Sequence, residues 1–160
     1  MKAMRTTILI LALSAATLAQ PADLPTRRTL SLAAAKAIAA AAEAEANKRG
    51  ATVVIAIVDD GGHLILLERL DDTQVASVEV AIGKARTASI FRRPSKVFED
   101  QIRDGRVAAL ALPGATPLQG GVPIIVDGKV VGAIGVSGNS PQEDEDIAKA
   151  GAAATAAAIR

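Results

Sequence analysis

The chain holds a single histidine, His63, and no cysteine or tyrosine. His63 closes the stretch Asp59-Asp60-Gly61-Gly62-His63, two glycines away from a pair of acids. A neutral imidazole at the mouth of a strand can ligate haem iron or another metal, or act as a general base. A solvated turn histidine is the plainer role for the same residue. Asp59 and Asp60, with Glu68 and Asp71 farther along, offer hard oxygen donors for a mixed carboxylate–imidazole metal site, although turn and rim solvation accounts for such acids equally. One histidine alone builds neither a structural zinc site nor a Ser-His-Asp triad.

Arg69, Lys84 and Arg86 are the candidate anion-binding residues. A propionate or a substrate carboxylate needs such a cation, and arginine presents a two-pronged fork. Lys84 and Arg86 are two apart in a helical stretch, so they diverge and at most one faces a given site. Gly120, Gly121, Gly132 and Gly135 leave backbone bare at a sheet, where a flat ligand can lie or another chain can approach closely; a twisted sheet packed tightly on alanine-rich helices explains them equally. Thr116 adds a hydroxyl for a ligand or for its own loop. Glu143, Asp144, Glu145 and Asp146 are oxygen donors for iron, but a role at a helix start already explains them.

Composition removes several functions. The absence of cysteine excludes disulfides, thiolate metal sites, Fe–S clusters, covalent c-type haem and a cysteine nucleophile. A net charge of +1 and only two aromatics, Phe91 and Phe98, argue against nucleic acid as a partner. Half the residues are apolar, enough for one core. Alanine dominates, so packing relies on branched aliphatics and on close approach at Ala and Gly.

At the N-terminus, Lys2 and Arg5 precede an apolar run from Ile8 to Leu13, and small residues follow as far as Ala19. The run is shorter than the ~20 residues of a spanning helix and reads as a secretory signal peptide over 1–19, cleaved before Gln20. The expected location is periplasmic or secreted, with no stable membrane span. Residues 20–28 then form a lead-in, and 29–160 a single domain.

Within that domain, periodicity predicts a helix over 29–49, started by Ser31 and stopped by Gly50. Strands follow at 52–58 and 63–70, joined by the Asp-Asp-Gly-Gly turn. A helix at 75–91 carries Val75, Val78, Ile82, Ala85 and Ser89 on one stripe. A short helix capped by Ser95 follows it. Val107–Leu112 reads as a third strand. Val122–Val126 and Lys129–Val136 form a hairpin over Asp127-Gly128. Ser140-Pro141-Gln142-Glu143 starts a last helix. The expected fold class is α+β, with an antiparallel sheet flanked by helices in the order α-β-β-α-α-β-β-β-α.

Several of these stretches, in this order, resemble the HbpS-like, or GlcG-like, haem-binding (haem-degrading) family. They are the alanine-rich first helix, Val53–Leu70 with its Asp59–His63 turn, and Lys84-Ala85-Arg86-Thr87-Ala88. The more specific ones are Gly120-Gly121-Val122-Pro123-Ile124 and Gly132-Ala133-Ile134-Gly135-Val136-Ser137-Gly138, with Glu143-Asp144-Glu145 last. The resemblance implies a profilin-like domain that forms homo-oligomers. Haem, a related tetrapyrrole, or iron or another divalent metal is then the expected ligand. The alternatives are a small-molecule enzyme acting on a carboxylate-bearing metabolite, with His63 or Lys84 as acid or base, and an accessory oligomer for a periplasmic enzyme. Met1 and Met4 would leave with the leader. A protein donor to haem iron would therefore be His63, unless the site uses a weak oxygen donor such as Thr116 or is shared between subunits.

Overall fold

Ser31 and Gly50 bound the first helix as their chemistry requires. In the computed structural model, which describes residues 22–158, α1 spans Leu32–Arg49. The Ser31 hydroxyl accepts from the Ala34 amide at 3.1 Å, and Gly50 closes the helix at φ +62°. The signal-peptide reading, 1–19, lies outside the described residues. No helix among those described is long and apolar enough to cross a membrane.

Two hairpins make the sheet. β1 (Val54–Asp59) pairs with β2 (Leu64–Arg69) across the Asp59–His63 turn. β3 (Gly121–Val126) pairs with β4 (Lys129–Ser137) across Asp127-Gly128, both at positive φ as a two-residue hairpin demands. β1 and β4 join the hairpins, giving the all-antiparallel order β2-β1-β4-β3. Because Asp59 pairs with Gly132 at the start of β4, both hairpin turns lie at the same end of the sheet. The lead-in crosses that end, with Arg27 paired to Asp60 and Arg28 to Asp127.

Side-chain alternation in the central strand divides the core. Val53, Ile55 and Ile57 face α1 and α4 (Pro141–Ala153), where Ile38, Ile134 and Ile147 are also fully buried. Val54, Ala56 and Val58 face α2 (Ser77–Ile90) through Ala81, Ala85 and Ala88. On this second face the contact is nearly backbone to backbone. A Cβ on Gly135 would lie 2.5 Å from the Ala85 nitrogen, and one on Gly121 would meet the Lys84 carbonyl.

Three expectations need correction. Val107–Leu112 is not a strand: Val107–Ala111 is a 3-10 helix, so the order is α-β-β-α-α-3-10-β-β-α, with a four-residue α5 (Thr155–Ala158) at the end. Its alanines and leucine favour helix, only Val107 is β-branched, and Val107 and Leu110 are exposed rather than offered to the core. Val75 precedes α2 and is 73% exposed, so it does not belong to the buried stripe. Ser95 makes no side-chain cap for α3 (Lys96–Arg103). Its hydroxyl instead bonds the Leu118 carbonyl and the Gly121 amide, stitching α3 to β3.

Lys84, on the sheet-facing side of α2, is 4% exposed. Its ammonium donates to the Val136 carbonyl at 2.9 Å and to the Asp144 carboxylate at 2.8 Å. Asp144, in the first turn of α4, is also buried and accepts from the Asn139 amide. Burial pushes the Asp144 carboxyl above its ordinary range, against the opposing pull of Lys84 and the Asn139 and Gly138 amides. The pair links both helical layers across the end of β4. Removing one member strands the other charge, whereas replacing both with apolar groups does not. Lys84→Met is therefore expected to lower unfolding stability by about 3–5 kcal/mol, and Lys84→Met/Asp144→Leu to recover most of that loss. In the single variant Asp144 has lost its cation. Its folded-state pKa then stays above the unfolded value, so the penalty shrinks as pH falls through that pKa. Urea unfolding at pH 7 and near pH 5 checks both statements.

Candidate functional site

Around His63 the chain builds a small polar corner at the hairpin end of the sheet. Asp59 ends β1, and its backbone is fixed on several sides. The Asp59 amide donates to the His63 carbonyl at 2.9 Å, and the Asp59 carbonyl accepts from the Gly62 amide and the Ser89 hydroxyl. The side chain then folds over the turn. Asp59 Oδ1 accepts from the Gly61 and His63 amides, both at 2.8 Å, which is the local closure that aspartate favours in turns. Both carboxylate oxygens lie 3.3 Å from His63 Nδ1. Burial alone would raise the Asp59 carboxyl, but the His63 and Gly61 amides and the imidazole outweigh it and hold it below its ordinary value. The His63 side chain is 82% exposed.

α2 forms the wall beside this turn. Gly62 sits at φ +82° with no room for a side chain, because a Cβ there would lie 2.9 Å from Arg86 Cγ and 3.0 Å from Ile90 Cγ2. Gly114 faces the same Arg86 and Ile90 from the loop that follows the 3-10 helix. Thr116 docks that loop onto α2, its amide donating to Thr87 Oγ1 at 2.7 Å and its side chain filling the space over Gly83. The corner thus gathers an exposed imidazole, the exposed Arg86, the half-buried Ile90 and Thr116, and the exposed Leu64 at the start of β2.

The other candidates lie elsewhere. Arg69 is exposed at the far end of β2, opposite Val54, about 20 Å of extended chain from His63. Lys84 is committed to Asp144 inside the protein. Arg86, two residues on, is exposed, as the divergence of helix positions requires. Gly120 and Gly121 are buried and present no open backbone, because α2, Ser95 and the Val136 carbonyl fill the space beside them. Gly132 is covered by Leu30, and Gly135 by α2.

The acids do not converge on a metal. Among the described residues no group of three or more histidines and carboxylates is arranged to hold an ion. Glu68 lies on β2 opposite Ile55, where burial and the neighbouring Glu43 raise its pKa. Of the acidic run at the start of α4, Glu143 meets the Ser140 hydroxyl, Asp144 meets Lys84, Glu145 meets Gln119 and Lys149, and Asp146 meets Arg49. The dipole argument for this run missed two internal partners. No local signal connects Lys84 with Asp144, sixty positions apart. The Asp59 contact was within reach, because an aspartate two residues before a glycine in a tight turn tends to accept that residue's amide.

Two grooves mark the surface. One, of about 890 Å³, lies between the start of α1 and the end of α4 and is lined by Arg28, Leu30, Ser31, Ile125 and Thr155. The other, of about 690 Å³, runs beneath the lead-in past Arg27, Asp60 and Arg92. Neither is lined by His63, whose side chain stands open to solvent.

Residues 30–153 match the family model described as "Haem degrading protein HbpS-like". Protein GlcG of Escherichia coli K12 is 44% identical over 112 residues, spanning 70% of this chain and 84% of that protein. Among solved structures, a double mutant of HbpS from Streptomyces reticuli superposes with a TM-score of 0.76 at 33% identity, covering 88% of this chain and 96% of that one. The complex of PduOC with haem gives 0.72 at 28% identity, covering 79% of this chain and 95% of that one. With the model spanning most of the sequence, and the same antiparallel sheet and helices recurring in these relatives, the chain belongs to the HbpS-like family.

Proposed function

We propose that this chain is an exported, homo-oligomeric binding protein whose ligand is haem or a related tetrapyrrole, held at the His63 corner. The observation that carries this reading is the imidazole itself. It is exposed, its Nδ1 faces the Asp59 carboxylate, and the turn that carries it meets Arg86 and Ile90 of α2 at Gly62, with the apolar Leu64 next along the chain. The PduOC–haem complex supports the ligand class. The donor set suits the group: imidazole nitrogen for iron, guanidinium for a propionate, and aliphatic surface for the macrocycle. Haem, when bound, supplies a redox-active, coloured iron centre. His63 would then donate nitrogen to the iron, and Arg86 would offset propionate charge that Asp59 and Asp60 would repel. Arg27 already pairs with Asp60 and weakens that repulsion.

One protomer offers only one face to a flat ligand, and several large apolar side chains stay exposed, Leu64, Val107 and Leu110 among them. Both facts favour assembly of several copies, the second covering what the first leaves open. The basic, apolar and small-residue order of the first 19 residues favours export. Removal of Lys2 and Arg5 would leave 16 basic against 17 acidic residues. A second reading, general-base catalysis on a carboxylate-bearing metabolite, draws on the same Asp59–His63 contact with Arg86 as the anchor. Turnover without a Soret band would favour it.

Three measurements follow from this reading. In a haemin titration, His63→Ala is expected to shift or abolish the Soret band. Arg86→Ala should leave its position unchanged and weaken binding about tenfold, the worth of one charge-assisted hydrogen bond, while Arg69→Ala changes neither. An unaltered spectrum and affinity in His63→Ala would remove the imidazole from the site. Light scattering is expected to give a mass at least twice that of one chain, and a single-chain mass would rule out the assembly. N-terminal sequencing of protein from the cell envelope should begin at Gln20, whereas a retained Met1 in the cytoplasmic fraction would end the export reading.

A further inference from the structure

We propose that Asp59 is the positioning residue of the His63 site: its carboxylate holds the neutral imidazole as the Nδ1–H tautomer and so leaves the Nε2 electron pair free for a ligand. This deepens the reading of His63 as an iron donor and rests on it. The geometry leaves the carboxylate little freedom. Oδ1 receives two amide hydrogens at 2.8 Å, from Gly61 and His63, and the Asp59 backbone is held by the His63 carbonyl, the Gly62 amide and the Ser89 hydroxyl. Both oxygens stand at the same 3.3 Å from Nδ1. An ionised carboxylate only accepts hydrogen bonds, so a neutral ring in this position must place its hydrogen on Nδ1. The hydrogen bond at one ring nitrogen thus sets the state of the other. The second acid of the turn does not compete, because Asp60 pairs with Arg27.

This role is separable from the role of Asp59 in the turn. Asparagine can reproduce the turn, since its carbonyl oxygen accepts from the Gly61 and His63 amides as the aspartate oxygen does. Its amide nitrogen would then face Nδ1 and donate to it, which transfers the ring hydrogen to Nε2. Asp59→Asn therefore keeps the fold and inverts the tautomer. A turn histidine answering only to solvent would show the same tautomer in both proteins.

The single histidine makes the test direct. Untagged, ¹⁵N-labelled protein without haem is examined by long-range ¹H–¹⁵N correlation in alkaline buffer, where one imidazole spin system appears. The parent is expected to show a protonated Nδ1 and a bare Nε2, and Asp59→Asn the reverse, with unchanged circular dichroism. The Asn variant should then bind haemin at least tenfold more weakly, with a displaced Soret band. A parent with its hydrogen on Nε2, or a tautomer indifferent to Asp59→Asn, overturns the proposal whatever the haemin result. If the tautomer inverts while haemin affinity holds, Asp59 does govern the ring but His63 is not the iron donor, and the failure belongs to the binding reading instead. Should Asp59→Asn not fold, the parent spectrum alone decides, because it requires no variant.

Discussion

The near contact of two backbones, α2 against β3 and β4, is the constraint on which the rest of the molecule depends. Gly121 and Gly135 leave no side chain between sheet and helix, and Ala81, Ala85 and Ala88 complete a surface with almost no thickness. A chain with two aromatics and an abundance of alanine cannot fill a wide inter-layer gap, so it closes the gap instead. The cost is that every group on the buried side of α2 must be paired in place. Lys84 is the extreme case, its charge satisfied by Asp144 and a strand carbonyl. Once α2 is seated this closely, the opposite side of the same helix is fixed as well, and Arg86 and Ile90 are brought against Gly62 at the hairpin turn.

Much of this was legible in the sequence because local chemistry determined it. Ser31, Gly50, Asp127-Gly128 and the Ser140-Pro141 start each need only their immediate neighbours, and each behaves in the structure as its type demands. β1 was legible for a different reason. Its unbroken apolar run suits a strand covered on both faces, and that is where the central strand lies. The segment at 107–111 was misread because short apolar runs have no period of their own. Its residue types then decide, and alanine and leucine do not make a strand.

The candidate site was legible in part. His63 announces itself by being unique, and Arg86 separates from Lys84 by helix geometry alone. What stayed hidden were contacts that only the tertiary fold creates: Lys84 with Asp144, Ser95 with Gly121, and the docking of the Thr116 loop over Gly83. The bare glycines of the sheet illustrate the same limit. For that bare backbone the sequence leaves open a ligand surface, another chain or tight packing on alanine-rich helices, and does not choose between them. Here α2, Leu30 and Ser95 approach it, and no open surface remains.

That outcome moves the weight of the site from the sheet to its end. A flat ligand cannot lie on glycine backbone already occupied by a helix, whereas the corner where the β1–β2 turn meets the exposed side of α2 stays open among the described residues. There the imidazole projects, and among the described residues its Nδ1 faces a carboxylate bound by two amides. Such a side chain has one nitrogen committed and the other offered. The ring is open to solvent, and neither of the two grooves described above reaches it. On the proposed reading, selectivity at this corner comes from the donor atom and from Arg86, and a second copy of the chain would supply any further wall. The rigidity that α2 gains from its glycine seat then has a use beyond stability. It holds Arg86 against the turn that carries His63, so the guanidinium and the imidazole share one corner of the surface.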